Sequence, residues 1–197
     1  MLPLEREPLL VFVPAEGADA AEYRECKRRF TQLGIRRFRQ IPINKNWNAK
    51  KEQALLSADV IFLGGGNTYY FLKHLRDRGL VAKLKNFAKR GGILLGLSAG
   101  SILMTPSVGT AAVPSVDCDE NDVGIKNKRA MGLVPFEFSP HYVKSKKSDA
   151  ELKRYSRKIT HPIYACADGE GLVVRNGKLN FVGRVSVFRG GKKLRAN

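Results

Sequence analysis

Cysteine is scarce. Cys26, Cys118 and Cys166 are the three thiols of a 197-residue chain. They form no CxxC pair, which excludes a disulfide framework or a zinc knuckle and fits a reducing compartment. Histidine is equally rare. His74, His141 and His161 are the three present. They form neither an HExxH nor an HxH pattern, so little is left for a metal, and none is expected. Long apolar runs are also missing. The longest stop early, as in Val60–Leu63 and Ile93–Leu97, far short of the roughly 20 residues that cross a bilayer. The first residues carry Glu5 and Glu7 where a secretory signal would have a basic and then an apolar segment. The expectation is a cytoplasmic protein without a membrane partner.

Acidic residues are few: 18 Asp+Glu against 35 Lys+Arg, a formal charge of +17. Such an excess attracts nucleic acid, anionic membranes and acidic substrates alike. By itself it speaks of solubility and non-specific attraction more than of chemistry. Hydrophobic residues make up 43% of the chain, too many for global disorder. One domain of this length buries a core without staples.

Along the chain, strand and helix patterns alternate. Leu9–Val13 is an apolar run closed by Pro14 and reads as a buried first strand. Ala20–Leu33 has helical periodicity. Ile35–Ile43 suits a strand nearer the sheet edge, and Trp47–Leu56 a helix. Val60–Leu63 is a third strand running into Gly64-Gly65-Gly66-Asn67-Thr68. Two helical pieces, Thr68–Arg76 and Leu80–Lys89, are separated by Gly79. Ile93–Leu97 is a buried strand before Ser98-Ala99-Gly100-Ser101 and a helix at Ile102–Met104. Residues 124–132 are loop-like, and Leu133–Phe138 leads into Ser139-Pro140-His141. A basic helix is expected over Asp149–Ile159. Ile163–Ala167, Leu172–Arg175, Leu179–Val182 and Val185–Phe188 read as strands and turns, with Asn176-Gly177 as a hairpin signal. The fold expected is a single α/β domain over residues 1–197, a three-layer sandwich with a mostly parallel central sheet. Antiparallel strands are added at its C-terminal end.

Gly96-Leu97-Ser98-Ala99-Gly100 stands between an apolar strand and a helix, the setting of a nucleophile elbow. A sharp strand-to-helix turn strains the Ser backbone and brings neighbouring chain close, so small residues flank it. Small residues also serve any tight strand-to-helix turn, and the pattern alone is common. The glycine run at Gly64–Gly66 follows another buried strand. It lacks both the P-loop ending and the dinucleotide spacing. Its backbone N–H groups suit an oxyanion hole at the same sheet edge, and Asn67 or Thr68 suits a cap for the next helix. A serine needs a base. His141, just after a strand and stiffened by Pro140, is better placed than His74, on a solvated helix face, or His161, before Pro162. The base needs an acid. Glu170 in Asp168-Gly169-Glu170-Gly171 and the Asp119-Glu120 cluster are both candidates by chemistry.

LGGGNT at Leu63–Thr68, GLSAGS at Gly96–Ser101, SPHY at Ser139–Tyr142 and GEG at Gly169–Gly171, in that order, resemble the peptidase E family of serine peptidases. That family includes aspartyl dipeptidases and has cyanophycinases as relatives. The resemblance spans most of the chain. It implies a flavodoxin-like fold similar to the class I glutamine amidotransferases, with serine in place of the cysteine nucleophile. It implies Ser98 as nucleophile, His141 as general base and acid, and Glu170 as third member, with Asp168 a competitor for that place. It implies an oxyanion hole from N–H groups near Gly65 and Ala99. Substrate contacts are expected from Asn67, from the acidic stretch with Asp119, Glu120 and Asn121 toward a free α-amino group, and from a basic residue that holds an Asp side chain. Lys144, Lys146, Lys147, Lys153, Arg154, Arg157 and Lys158 are available, and Arg154 is the residue assigned.

The function expected is hydrolysis of short peptides, foremost dipeptides with N-terminal Asp, by a monomer or homodimer needing no metal or organic cofactor. A cyanophycinase-like specificity is one alternative. A nucleic-acid-binding protein using the basic runs Arg24–Arg39, Lys144–Lys158 and Arg184–Arg195 is the other, although no RNA-recognition motif or zinc finger accompanies them.

Overall fold

In a computed structural model that describes residues 7–17 and 20–195, the chain divides into two compact units. The first comprises Met1–Ser101 with Asn121–Ile125, the second Ile102–Glu120 with Lys126–Asn197. Glu5 lies outside the described residues.

The first unit is built on a parallel four-stranded sheet in the order β2-β1-β3-β4. Its strands are β1 (Leu9–Val13), β2 (Arg37–Gln40), β3 (Val60–Leu63) and β4 (Ile93–Gly96). β1 is central and buried along its whole length, as an unbroken apolar run demands when both faces of a parallel sheet are covered. β2 is the edge strand, and its residues alternate between exposed and half-buried. Register is set by Leu10 opposite both Phe38 and Val60, and by Leu63 opposite Gly96. On one face Leu10, Phe12 and Val60 pack with Cys26, flanked by Tyr23, Phe30 and Phe62. The helix α1 (Ala20–Gln32) supplies Tyr23, Cys26 and Phe30, at the i, i+3, i+7 spacing of one helix face. The alternate residues Val11, Val13, Ile61 and Leu63 point to the opposite face by the two-residue period of a strand. They too are buried.

Helix starts follow capping chemistry. Asn48 accepts the Lys51 N–H at 3.0 Å ahead of α2 (Ala49–Leu56), and Asn67 accepts the Tyr70 N–H at 2.9 Å ahead of α3 (Thr68–Asp77). Gly79, at φ +63°, separates α3 from α4 (Leu80–Lys89); a left-handed residue there costs glycine little. The short helix α5 (Ala99–Ile102) starts directly after Ser98, three residues before the Ile102–Met104 helix expected from sequence. The tight turn itself initiates it.

The second unit holds a four-stranded mixed sheet in the order β10-β9-β6-β5. Its strands are β5 (Glu137–Ser139), β6 (Ile163–Ala165), β9 (Ser186–Arg189) and β10 (Lys192–Arg195). β5 and β6 are parallel, whereas β6–β9 and β9–β10 are antiparallel. A separate hairpin joins β7 (Gly171–Arg175) to β8 (Lys178–Val182). Its turn residues Asn176 and Gly177 both have positive φ, 52° and 74°, as a two-residue primed turn requires. Gly190-Gly191, at 55° and 82°, makes the analogous turn into β10. β10 was not foreseen, because Lys-Lys-Leu-Arg carries almost no strand pattern. Helix α6 (Lys146–Ser156) begins three residues before the expected Asp149, because Ser145 caps it by accepting the Ser148 N–H at 3.0 Å. The core gathers Tyr142, Leu152, Ile163, Ala165 and Phe188.

The fold is therefore α/β, with a parallel sheet covered by helices and with antiparallel strands toward the C-terminal end, as the sequence pattern implies. The antiparallel strands join a different sheet from the first four because β5 pairs with β6. Among the described residues no helix is long and apolar enough to cross a membrane.

Candidate active site

Ser98 and the glycine loop, and His141 with Asp168 and Glu170, form two groups, each at the carboxyl ends of two adjacent parallel strands, where open parallel sheets place their sites. In the first unit these strands are β3 and β4. β3 runs into the glycine loop and β4 into Ser98. Ser98 is half-buried and its backbone is left-handed, at φ +49°, a conformation rare for a non-glycine residue and one that costs of order 1–3 kcal/mol. The elbow is held by its neighbours. Gly100 donates to the Gly64 carbonyl at 3.1 Å and to the Leu97 carbonyl at 2.9 Å, and the Ser101 hydroxyl donates to the Gly96 carbonyl at 2.6 Å. A Cβ on Gly100 would lie 2.2 Å from the Leu63 carbonyl oxygen, so only glycine fits between the two strand exits.

The glycine loop lies directly beside Ser98: a Cβ on Gly65 would stand 3.6 Å from the Ser98 Cβ. The Gly65 N–H, expected in the oxyanion hole, donates to the Glu22 carboxylate at 3.0 Å. Glu22 was not anticipated. The available signal was its position one helical turn before buried Cys26, which turns an acid inward. Burial pushes the Cys26 thiol up to about 11, and the Glu22 charge adds to the rise.

In the second unit the adjacent parallel strands are β5 and β6. β5 leads to His141 and β6 to Asp168. The two exits are laced together, because Cys166 N–H donates to the Ser139 carbonyl at 3.0 Å and Tyr142 N–H to the Cys166 carbonyl at 2.9 Å. His141 is also left-handed, at φ +51°. Its ring Nδ1 stands 2.6 Å from Asp168 Oδ1; a carboxylate only accepts, so the ring N–H donates. Glu170 is occupied elsewhere. Its two oxygens accept the backbone N–H groups of Ala167 and Arg184, each at 2.9 Å, and its side chain packs against Gly183. The acid paired with His141 is thus Asp168, with Glu170 holding the turn.

Beside His141, Tyr142 is buried and anchored. Its hydroxyl donates to Asp149, and Lys193 Nζ reaches that hydroxyl at 2.6 Å and the Asp149 carboxylate at 2.9 Å. Burial pushes the Asp149 carboxyl up, but hydrogen bonds from Tyr142 and Lys193 outweigh it and hold the group below its ordinary range.

The remaining sequence-predicted residues are spread out. Asn67 is the α3 cap. Asn121 spends both ends of its amide on Ile125, at 2.9 Å each. Asp119 N–H donates to the Ala111 carbonyl at 2.8 Å, and Glu120 is exposed. Arg154 is exposed in the last turn of α6. His74 departs from the solvated position expected of it. It is half-buried, with its ring 4.4 Å from that of Tyr70 and Nδ1 3.3 Å from Arg78. Burial first, then the Arg78 and Lys73 charges, pull its value down.

Comparison with known proteins agrees with these motifs. A stretch of 91 residues is 37% identical to the peptidase E of Salmonella arizonae, covering 46% of this chain and 37% of that protein. The peptidase E of Citrobacter koseri is 39% identical over 90 residues, 45% of this chain and 36% of that one. The chain thus matches little more than a third of the length of these relatives. Two crystal structures resemble it in fold. One is of a Listeria monocytogenes EGD-e protein assigned as a peptidase E, with TM-score 0.73 and 21% identity over 89% of this chain and 85% of that one. The other is of a peptidase from an acI-B1 Actinobacterium, with TM-score 0.69 and 18% identity over 95% and 80%. The sequence pattern of peptidase family S51 matches residues 3–182. That span takes in the Ser98 elbow, the His141 loop and the Asp168 turn, and on it this chain belongs to peptidase family S51.

Proposed function

We propose that the protein is a serine peptidase of short peptides, foremost dipeptides with N-terminal Asp, acting through an acyl-enzyme on Ser98. The observation that carries the reading is the left-handed Ser98 between β4 and α5, wedged by Gly100 against Leu63 in a chain of this family. A strained serine on such a turn projects its hydroxyl from the sheet edge.

In this reading His141 takes the Ser98 proton as the oxygen attacks the scissile carbonyl. Asp168 holds the His141 ring in one tautomer and stabilises the imidazolium, a role supported by their 2.6 Å contact. The developing oxyanion is assigned to the Ala99 N–H and the glycine loop. His141 then protonates the leaving amine, and water hydrolyses the ester. Arg154, or another base of the Lys144–Lys158 segment, is assigned to the substrate's Asp side chain, and the net charge of +17 supports attraction of acidic peptides.

The test is turnover of Asp-X dipeptides and Asp-p-nitroanilide, together with covalent labelling by a fluorophosphonate. Ser98→Ala is expected to lose both turnover and labelling while keeping its thermal midpoint. Full turnover by the Ser98→Ala protein refutes the mechanism. Cleavage confined to peptides without Asp refutes the specificity.

A further inference from the structure

Glu22 is the acid of α1's first turn. Its carboxylate enters the glycine loop. Oε1 accepts the Gly65 N–H at 3.0 Å, and a Cβ on Gly64 would lie 3.0 and 3.1 Å from its two oxygens. Three consecutive glycines have more backbone freedom than any other tripeptide, so what ties them decides where they point. Gly64 is tied on both sides, by its N–H to the Val13 carbonyl at 2.9 Å and by its carbonyl to the Gly100 N–H at 3.1 Å. Asn67 is tied as the α3 cap. Between these anchors, Gly65 faces Ser98 on one side and is bonded to Glu22 through its N–H.

We infer that Glu22 is a positioning residue for this site: by holding the Gly65 N–H it sets the orientation of the glycine loop against Ser98. The inference rests on the serine-peptidase reading. It assigns Gly65 a different part from that expected of it, because an N–H given to a carboxylate inside the protein is not also the donor to the reacting oxygen. A released loop keeps its ends but loses the orientation of its middle peptide. A misplacement of about 1 Å at a reacting centre costs on the order of 100-fold in rate.

The experiment compares wild type with Glu22→Ala, Glu22→Gln, Glu22→Asp and Ser98→Ala on Asp-p-nitroanilide, reading kcat and KM separately beside the thermal midpoint. Glu22→Ala is expected to lose about 10- to 100-fold in kcat with KM within about twofold. Glu22→Gln, whose carboxamide oxygen can accept the same N–H, is expected to recover most of that loss. Glu22→Asp, one methylene short, is expected to lose as Ala does, and it replaces Ala should the latter not fold. A group that merely stabilised the fold would move the midpoint and leave kcat of the folded enzyme alone. Unchanged kcat in Glu22→Ala and Glu22→Asp overturns the inference, and so does an equal loss in Glu22→Gln. Activity persisting in Ser98→Ala overturns instead the peptidase reading beneath it.

Discussion

Exchanging the carboxylate partner of His141 separates two residues that stand two apart in one turn. Asp168→Asn removes the charge that faces Nδ1 at 2.6 Å while keeping size and shape. In buried Ser-His-Asp triads such a change lowers kcat by roughly 10,000-fold. The Asp168 side chain is 84% exposed and that of His141 37%, so water screens much of the interaction. Two unit charges about 4 Å apart attract by about 1 kcal/mol in bulk water and about 4 kcal/mol at a protein surface of moderate dielectric. The lower half of that range, about 1–2.5 kcal/mol, fits a carboxylate so open to solvent. At about 1.4 kcal/mol per decade, it corresponds to a roughly 5- to 60-fold loss in kcat, with KM little changed. Glu170→Gln should behave in the opposite way. Glu170 binds the Ala167 and Arg184 N–H groups, and a carboxamide can satisfy only one of them. The fold should lose about 1–3 kcal/mol, with kcat of the folded enzyme near wild type. Steady-state kinetics on Asp-p-nitroanilide and thermal melts of the two variants check this. A Glu170→Gln enzyme that melts like wild type but loses as much kcat as Asp168→Asn would refute the assignment.

Two further predictions concern stability. Gly100→Ala places a methyl 2.2 Å from the Leu63 carbonyl oxygen and should cost at least the upper end of the roughly 1–3 kcal/mol of an overpacked site; a denaturant midpoint equal to wild type would contradict the elbow packing. Glu137 is buried at 1% exposure beside the Tyr155 hydroxyl. Burial pushes its carboxyl up, with the Tyr155 hydrogen bond and Lys128 pulling back. A raised carboxyl contributes stability that is complete below its unfolded value and lost as pH rises through the folded one. The melting temperature of wild type relative to Glu137→Gln should therefore fall as pH rises above the ordinary carboxylate value of 4.5, and a difference independent of pH would speak against it.

The elements of the first unit were legible because their signals are local. β1, β3 and β4 are apolar runs ended by proline or glycine, and α3 and α4 are periodic segments divided by Gly79. The Ser98 elbow was legible for the same reason, since it lies within five consecutive residues. The α6 start was missed because Ser145, the true cap, stands in a run of lysines that hides the helical period. β10 was missed because its strand character comes from pairing with β9 through the Gly190-Gly191 turn, not from its own residues.

By itself the sequence determined an α/β chain with parallel strands, a serine on a glycine-flanked turn, a histidine at a strand exit and the family in which these occur together. Each of these is written in neighbouring residues, where backbone sterics and hydrophobic period act over a few positions. Only the tertiary structure decided which acid contacts His141, because Asp168 and Glu170 have the same chemistry and differ in where one turn directs them. Only it brought Glu22 to Gly65 across 43 residues of sequence, since a hydrogen bond of that span exists once α1 packs on the sheet and not before.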